Sequence, residues 1–265
     1  MEEKYVEHEN ATIHYKIVGK GLTVVFIHGF AEDATAWTEQ VAFLKDKYKL
    51  ILPDIPGTGK STLLQKESIT MEDYAGCLKA ILDAEKIDKI VMIGHSMGGY
   101  IMLAFAEKYP DSLLGFGLFH SSAYADDPEK VATRKKAIAF IKKNGVAAFL
   151  NSSIPGLFYD AKKGAADIEN LLQKGNKFIP EALVQYYEAM ITRPDRTIIL
   201  KNTALPVLFI LGEHDKAIPF KHGLEQAKLP MLTYLYILRN SAHMGMLEET
   251  SRSNDILGEF LQIHE

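Results

Sequence analysis

Residues 94–99 read Gly-His-Ser-Met-Gly-Gly. The apolar run Ile90–Ile93 precedes them and a helical pattern, Gly98–Lys108, follows. A G-x-S-x-G stretch between a strand and a helix has a definite chemical use. The turn is so tight that its central residue is forced into a strained backbone conformation. Glycines at 94 and 98 remove side chains that would collide there. Ser96 Oγ is then held above the sheet. The Met97 N–H lies at the helix N-terminus, where free donors and the helix dipole favour an anion. This is an arrangement for a nucleophilic serine whose attack on a carbonyl creates an oxyanion.

A serine at its ordinary pKa attacks poorly, so it needs a base, and the base needs an orienting acid. In this architecture the chain order is Ser, then Asp or Glu, then His. Gly212-Glu213-His214-Asp215 follows the apolar run Val207–Leu211, and Ser241-Ala242-His243-Met244 follows Thr233–Leu238. Both loops lie just past strand carboxyl ends, where open α/β sheets place their sites. Asp215 is read as the acid and His243 as the base. Glu213 and His214 rival them by position alone; Glu213 reads better as a loop-stabilising acceptor and His214 as a solvent-facing neighbour. A second oxyanion donor is expected from His28-Gly29-Phe30, after the run Leu22–Ile27. Gly29 lets the backbone turn, and the Phe30 N–H can aim where the Met97 N–H does. His28 reads as a hydrogen-bonded structural histidine. The other histidines lack metal-ligand spacing, so neither metal nor cofactor is expected.

The elements that must position these residues are legible. After short alternating runs at Tyr5–Glu7 and Thr12–Val18, solidly apolar runs recur at Leu22–Ile27, Leu50–Pro53, Ile90–Ile93, Leu113–Phe119, Val207–Leu211 and Thr233–Leu238. Continuous apolar strands are what a parallel sheet buried on both faces requires. Helical patterns lie between them. Met71–Asp83 repeats Tyr74, Cys77, Leu78, Ile81 and Leu82 on one face, with Thr70 and Asp73 in capping-box spacing. The lone cysteine, Cys77, is on that apolar face and reads as a small core residue. The predicted fold class is α/β: a doubly wound, mostly parallel eight-stranded sheet with an N-terminal antiparallel hairpin and a helical cap insertion. Residues 121–193 carry helix signals only, including the start at Asp127-Pro128-Glu129 and the stop at Asn144-Gly145. They are assigned to a cap on a core of 1–120 and 194–265.

Residues 51–62, ILPDIPGTGKST, raise a competing chemistry. A phosphate-binding loop reads G-x-x-x-x-G-K-[ST], but its first glycine is here Asp54, whose carboxylate would repel polyphosphate. The next helix also starts too late, at Thr70. Composition narrows the classes further. The chain has 265 residues, 47% apolar and 24% charged, with a net charge of −4, which argues against a nucleic-acid surface. Its first ten residues lack a signal peptide's apolar stretch, and no run reaches membrane-spanning length. A cytoplasmic protein without membrane or nucleic-acid partners is expected.

With these motifs in place, the chain resembles the α/β-hydrolase superfamily nearly end to end. The resemblance rests on HGF at 28–30, D-x-x-G-x-G-x-S at 54–61, GHSMGG at 94–99, G-E-x-D at 212–215, and His243 with Glu248 five residues on. It implies that 54–61 is a structural loop beside the site, with Lys60 a surface residue. Dehalogenases and epoxide hydrolases of this superfamily place Asp where Ser96 stands. Hydrolases of carbon–carbon bonds usually show Asn where His95 stands. The remaining resemblance is to carboxylesterases and implies hydrolysis of a small, largely apolar ester through an acyl-enzyme. Carbon–carbon bond hydrolysis, perhydrolysis, and a ligand-binding signalling role on the same fold are alternatives. The resemblance also puts Trp37 near the mouth of the site, and Phe158 and Met244 are expected in the substrate pocket with it.

Overall fold

In the computed structural model, which describes all 265 residues, eight strands form one sheet. They are β1 (Glu2–His8), β2 (Ala11–Val18), β3 (Thr23–Ile27), β4 (Lys49–Pro53), β5 (Ile90–His95), β6 (Leu113–Phe119), β7 (Val207–Gly212) and β8 (Thr233–Leu238), in the order β1-β2-β4-β3-β5-β6-β7-β8. β2 pairs antiparallel with both β1 and β4, and every other pair is parallel. The sheet winds outward from β3, first toward β4 and then, after a reversal, toward β5. That reversal opens a crevice between the carboxyl ends of β3 and β5. The HGF loop leaves β3 there and the serine turn leaves β5.

The ten helices are α1 (Thr38–Leu44), α2 (Met71–Ala84), α3 (Met97–Lys108), α4 (Pro128–Ser153), α5 (Ala165–Gly175), α6 (Pro180–Thr192), α7 (Thr197–Asn202), α8 (Phe220–Gln226), α9 (Gly245–Glu248) and α10 (Thr250–Gln262). Period-two alternation explains the layers. Val25, Ile27, Ile90 and Met92 join one core with α2 and α3, while Val24, Phe26, Val91 and Ile93 join the other with α1 and α10. Both faces of the central strands are therefore apolar, as their sequences require. The capping box that opens α2 forms as spaced, with Asp73 Oδ2 accepting from the Thr70 N–H at 2.8 Å and the Asp73 N–H donating back to Thr70 Oγ1 at 3.4 Å.

Between β6 and β7 the chain is helical. The expected stop at Asn144-Gly145 does end a helix: Gly145, with φ +82 and ψ 168, is outside helical geometry, and a second helical stretch follows it directly to Ser153 within the range of α4. Asp54 explains the failed phosphate loop. Its carboxylate accepts from the backbone N–H of Ala34 at 2.9 Å and of Lys60 at 2.9 Å, and meets His14 Nδ1 at 2.7 Å. Ser61 Oγ closes the loop by donating to the Asp54 carbonyl at 2.6 Å. The glycine-rich turn thus wraps its own carboxylate, and Lys60 lies outside, paired with Glu3. No helix is long and apolar enough to cross a membrane.

Candidate active site

Ser96 has φ 50 and ψ −115, a conformation non-glycine residues rarely adopt. The two flanking glycines make it possible. A Cβ on Gly94 would lie 2.4 Å from the Gly98 carbonyl, and one on Gly98 would lie 2.4 Å from the Ile27 carbonyl. The turn is pinned at both sides, by the Ser96 N–H donating to Phe119 O at 3.0 Å and by Ser121 Oγ donating to Ser96 O at 2.6 Å.

The structure brings together three side chains far apart in sequence. His243 Nε2 is 2.9 Å from Ser96 Oγ, and His243 Nδ1 is 2.8 Å from Asp215 Oδ2. The carboxylate can only accept, so Nδ1 carries the proton and Nε2 is left to accept from the serine hydroxyl. The other oxygen, Asp215 Oδ1, accepts from the N–H groups of Ala217 and Ile218 at 2.8 and 2.9 Å. Burial alone would raise the Asp215 pKa, but the facing His243 and these donors outweigh it and hold it below the ordinary value. Glu213 is exposed and its carboxylate accepts no bond, contrary to the role expected for it. His214 stacks on Tyr159 at 3.8 Å between ring centroids, away from the serine. His28 is structural: Nδ1 donates to Gly29 O at 2.8 Å and Nε2 accepts from the Ile55 N–H at 3.0 Å.

Neither the Phe30 nor the Met97 N–H has a partner within the protein. Gly29 is needed for space rather than for a turn, since a Cβ there would lie 2.8 Å from His95 Nδ1. The reason is a pair the sequence did not disclose. The buried Glu32 carboxylate lies 3.0 Å from His95 Nδ1 and accepts from the Gly29 N–H at 2.6 Å. His95 Nε2 donates to the His243 carbonyl at 2.9 Å. One ion pair therefore ties the HGF loop, the serine turn and the His243 loop together. Burial opposes both charges, but mutual attraction prevails, lowering the pKa of Glu32 and raising that of His95. Nearby His120 accepts from the Gly212 N–H through Nδ1 at 3.0 Å and lies 3.7 Å from Asp215 Oδ2; burial outweighs that carboxylate and pushes its pKa down to about 3. Glu248 fixes the same loop, accepting from the N–H groups of Ala242 at 2.9 Å, Met244 at 3.3 Å and Tyr159 at 2.6 Å.

A cavity of about 540 Å³ opens over Ser96 and His243. Two of the three expected pocket residues are elsewhere. Trp37 is wholly buried in the core below, against Phe26 at 4.9 Å and Phe119 at 5.7 Å between centroids, because α1 packs it onto the sheet. Phe158 lines a separate hollow with Gly164 and Leu247, and the preceding Leu157 takes the place at the cavity. Met244 lines a smaller apolar pocket that shares Phe30, Leu157 and Tyr187 with the serine cavity. Residues the sequence did not single out as liners include Lys130 and Arg134 from α4 and Lys216 from the Asp215 loop. No group of three or more His, Cys, Asp or Glu side chains is arranged to hold a metal ion.

The comparisons agree with this architecture. The alpha/beta hydrolase fold family matches residues 23–132. An esterase from Thermogutta terrifontis, solved with malate bound, superimposes with a TM-score of 0.93 at 27% identity, over 100% of this chain and 99% of that one. An enol-lactonase from Burkholderia xenovorans LB400 matches with a TM-score of 0.90 at 22% identity, over 98% of this chain and 100% of that one. A 2-hydroxy-6-oxononadienedioate/2-hydroxy-6-oxononatrienedioate hydrolase from Paraburkholderia phymatum is 27% identical over 266 residues, 94% of this chain and 90% of that protein. With a strand order that reverses at β3, a strained serine at the end of β5 and these matches, the chain has the α/β-hydrolase fold.

Proposed function

We propose that this chain is a serine hydrolase that cleaves a carboxylic ester of a small substrate through an acyl-enzyme. The observation that carries the reading is the unbroken bond chain Ser96–His243–Asp215, opening on a cavity beside two unpartnered N–H groups. His243 Nε2 takes the Ser96 proton as Oγ bonds to the substrate carbonyl carbon. Negative charge then develops on the carbonyl oxygen, and the N–H groups of Phe30 and Met97 stabilise it. Collapse expels the alcohol, which leaves with the proton now on Nε2. Water, deprotonated by the same nitrogen, attacks the acyl carbon and releases the acid. Asp215 keeps Nδ1 protonated and stabilises the imidazolium. The esterase from T. terrifontis supports this reading by similarity.

The test is incubation with a fluorophosphonate probe, then with p-nitrophenyl esters of rising chain length. The expected result is labelling at Ser96 and repeated turnover, both lost in Ser96→Ala. Labelling without turnover of any ester would overturn the ester reading. A second reading, hydrolysis of a carbon–carbon bond next to a carbonyl, is favoured by the relative from P. phymatum. It predicts loss of absorbance from a conjugated dienoate ring-cleavage product at a rate above that of any ester.

A further inference from the structure

A largely apolar ester was expected, and Phe30, Leu157, Tyr187 and Met190 do line the cavity over Ser96, but Lys130, Arg134 and Lys216 line it too. Arg134 lines the cavity beside Tyr187. Its side chain is 12% exposed and its guanidinium carbon sits 5.5 Å from the Tyr187 ring centroid. Its Nε donates to Asp126 Oδ2 at 2.5 Å and its Nη2 to Asp126 Oδ1 at 3.3 Å. Nη1 has no partner. Arg193 shares the same carboxylate, donating from Nη2 to Asp126 Oδ1 at 2.8 Å. Two guanidiniums on one buried carboxylate leave one positive charge uncompensated. Arg193 also donates to the carbonyls of Met190 at 2.6 Å and Tyr124 at 3.0 Å and lies 3.9 Å over the Tyr100 ring; its Nε is buried without a partner, but Arg193 does not line this cavity. The spare donor that borders the serine's cavity is therefore on Arg134.

The other acids around this cavity do not answer that donor. Glu32 is committed to His95 and Gly29. Asp127 caps α4 by accepting from the Lys130 N–H at 2.7 Å, and Glu129 is exposed at the rim. Lys130, one helical turn before Arg134, bonds through Nζ to the Ala217 carbonyl at 2.9 Å, so its charge is fixed beside the loop that holds Asp215. Lys216 adds a third cation at the opening. A guanidinium edge that borders a cavity and has no protein partner is open to an incoming acceptor, and a carboxylate is the planar anion that edge fits.

We propose that Arg134 reads a carboxylate on the substrate, so that the ester cleaved is short and acidic: a monoester of a dicarboxylic acid, or an ester whose alcohol half bears a carboxylate. Apolar liners such as Phe30, Leu157 and Met190 take the methylene chain between the two functional groups. Lys130 and Lys216 supply supporting field. This inference rests on the serine-hydrolase reading for its reacting group, but the binding contact does not depend on turnover.

The experiment has two arms. In the first, wild type and Arg134→Gln hydrolyse mono-p-nitrophenyl glutarate and, as the neutral match, p-nitrophenyl valerate. Wild type is expected to favour the acidic ester by about tenfold or more in kcat/KM, as a charge-assisted hydrogen bond predicts, and the variant to lose that preference while keeping valerate turnover. In the second, glutarate binding to Ser96→Ala is measured by calorimetry with and without Arg134→Gln. Equal rates on the two esters in wild type, or a parallel fall on both in the variant, would overturn the proposal and leave the hydrolase standing. Glutarate binding that depends on Arg134 without turnover of either ester sinks the hydrolase reading and sustains the carboxylate site. Should Arg134→Gln not fold, wild-type selectivity and the loss of glutarate binding in Arg134→Lys, which keeps the charge but not the fork, decide the matter.

Discussion

The cavity over Ser96 has two sides that are built differently. On the sheet side, backbone and side chain are locked together. Gly29, Glu32, His95, Ser96, Asp215 and His243 hold one another through short, buried bonds that link the segments after four strands. On the cap side, helices are seated by a few tethers to core backbone: Tyr186 Oη donates to Ile55 O at 3.0 Å and Pro56 O at 2.7 Å, Lys130 Nζ to Ala217 O, and the His243 N–H to Leu157 O at 2.9 Å. Much of α4 faces solvent, with only Ile141, Val146 and Leu150 buried. Proton transfer needs heavy atoms fixed to within a fraction of an ångström, so it belongs where the backbone cannot shift. Selectivity tolerates looser mounting. The helical side can change its side chains without disturbing the serine.

Substitutions ranked by expected size can break or sharpen this contrast. The largest effect is expected from Ser96→Ala, a loss of kcat of about a million-fold with folding intact by circular dichroism. Asp215→Asn should follow at about ten-thousand-fold, because Nδ1 would no longer be held in its protonated form. Retained activity in either would mean that the sheet side is not where the chemistry occurs.

His95→Asn comes next and tests the lock itself. It keeps a polar contact toward Glu32 but loses the bond to the His243 carbonyl and the positive charge. Leaving Glu32 buried without its counter-ion should cost about 3–5 kcal/mol in urea unfolding. His95→Gln, whose amide can reach the His243 carbonyl, should restore kcat more than it restores stability. The pH dependence has a sign. Glu32 is held below its ordinary 4.5, so its share of stability is full above that pH and is lost as pH falls through the lower folded value. His95 is held above its ordinary 6.5, so its share is full below that pH and is lost as pH rises through the higher folded value. The stability gap between wild type and His95→Asn should therefore be widest across pH 4.5 to 6.5 and shrink on either side. A flat gap would show that the two charges do not depend on one another.

The smallest effect is expected on the cap side. Tyr186→Phe deletes the hydroxyl that satisfies two buried carbonyls and should cost about 1–3 kcal/mol of stability. KM is expected to rise while kcat stays near wild type, since the sheet-side bonds are untouched. A fall in kcat with KM unchanged would erase the distinction between the two sides.

Much of the fold was legible because each rule involved is local. Continuous apolar runs gave the strands, Thr70 and Asp73 gave the start of α2, and the glycines around Ser96 gave the tight turn. The failures are equally physical. Trp37 was expected at the mouth, yet α1 turns it into the core. Phe158 and Leu157 are neighbours, and only the turn between α4 and α5 decides which of them meets the cavity. Glu32 carries no spacing signal, because its partner His95 lies on another strand's loop, 63 positions away. Arg134 was one basic residue among several on a solvent-facing helix.

The sequence by itself determined the class of architecture and named the three side chains proposed as nucleophile, base and acid, because periodicity, turn chemistry and chain order are written along one dimension. What only the tertiary structure decided is who faces whom: that Glu32 locks His95 to the His243 loop, that two arginines share Asp126 and leave a donor free, and that cationic side chains line the cavity among apolar ones. Those are distances between segments far apart in the chain. Packing, not local preference, sets them.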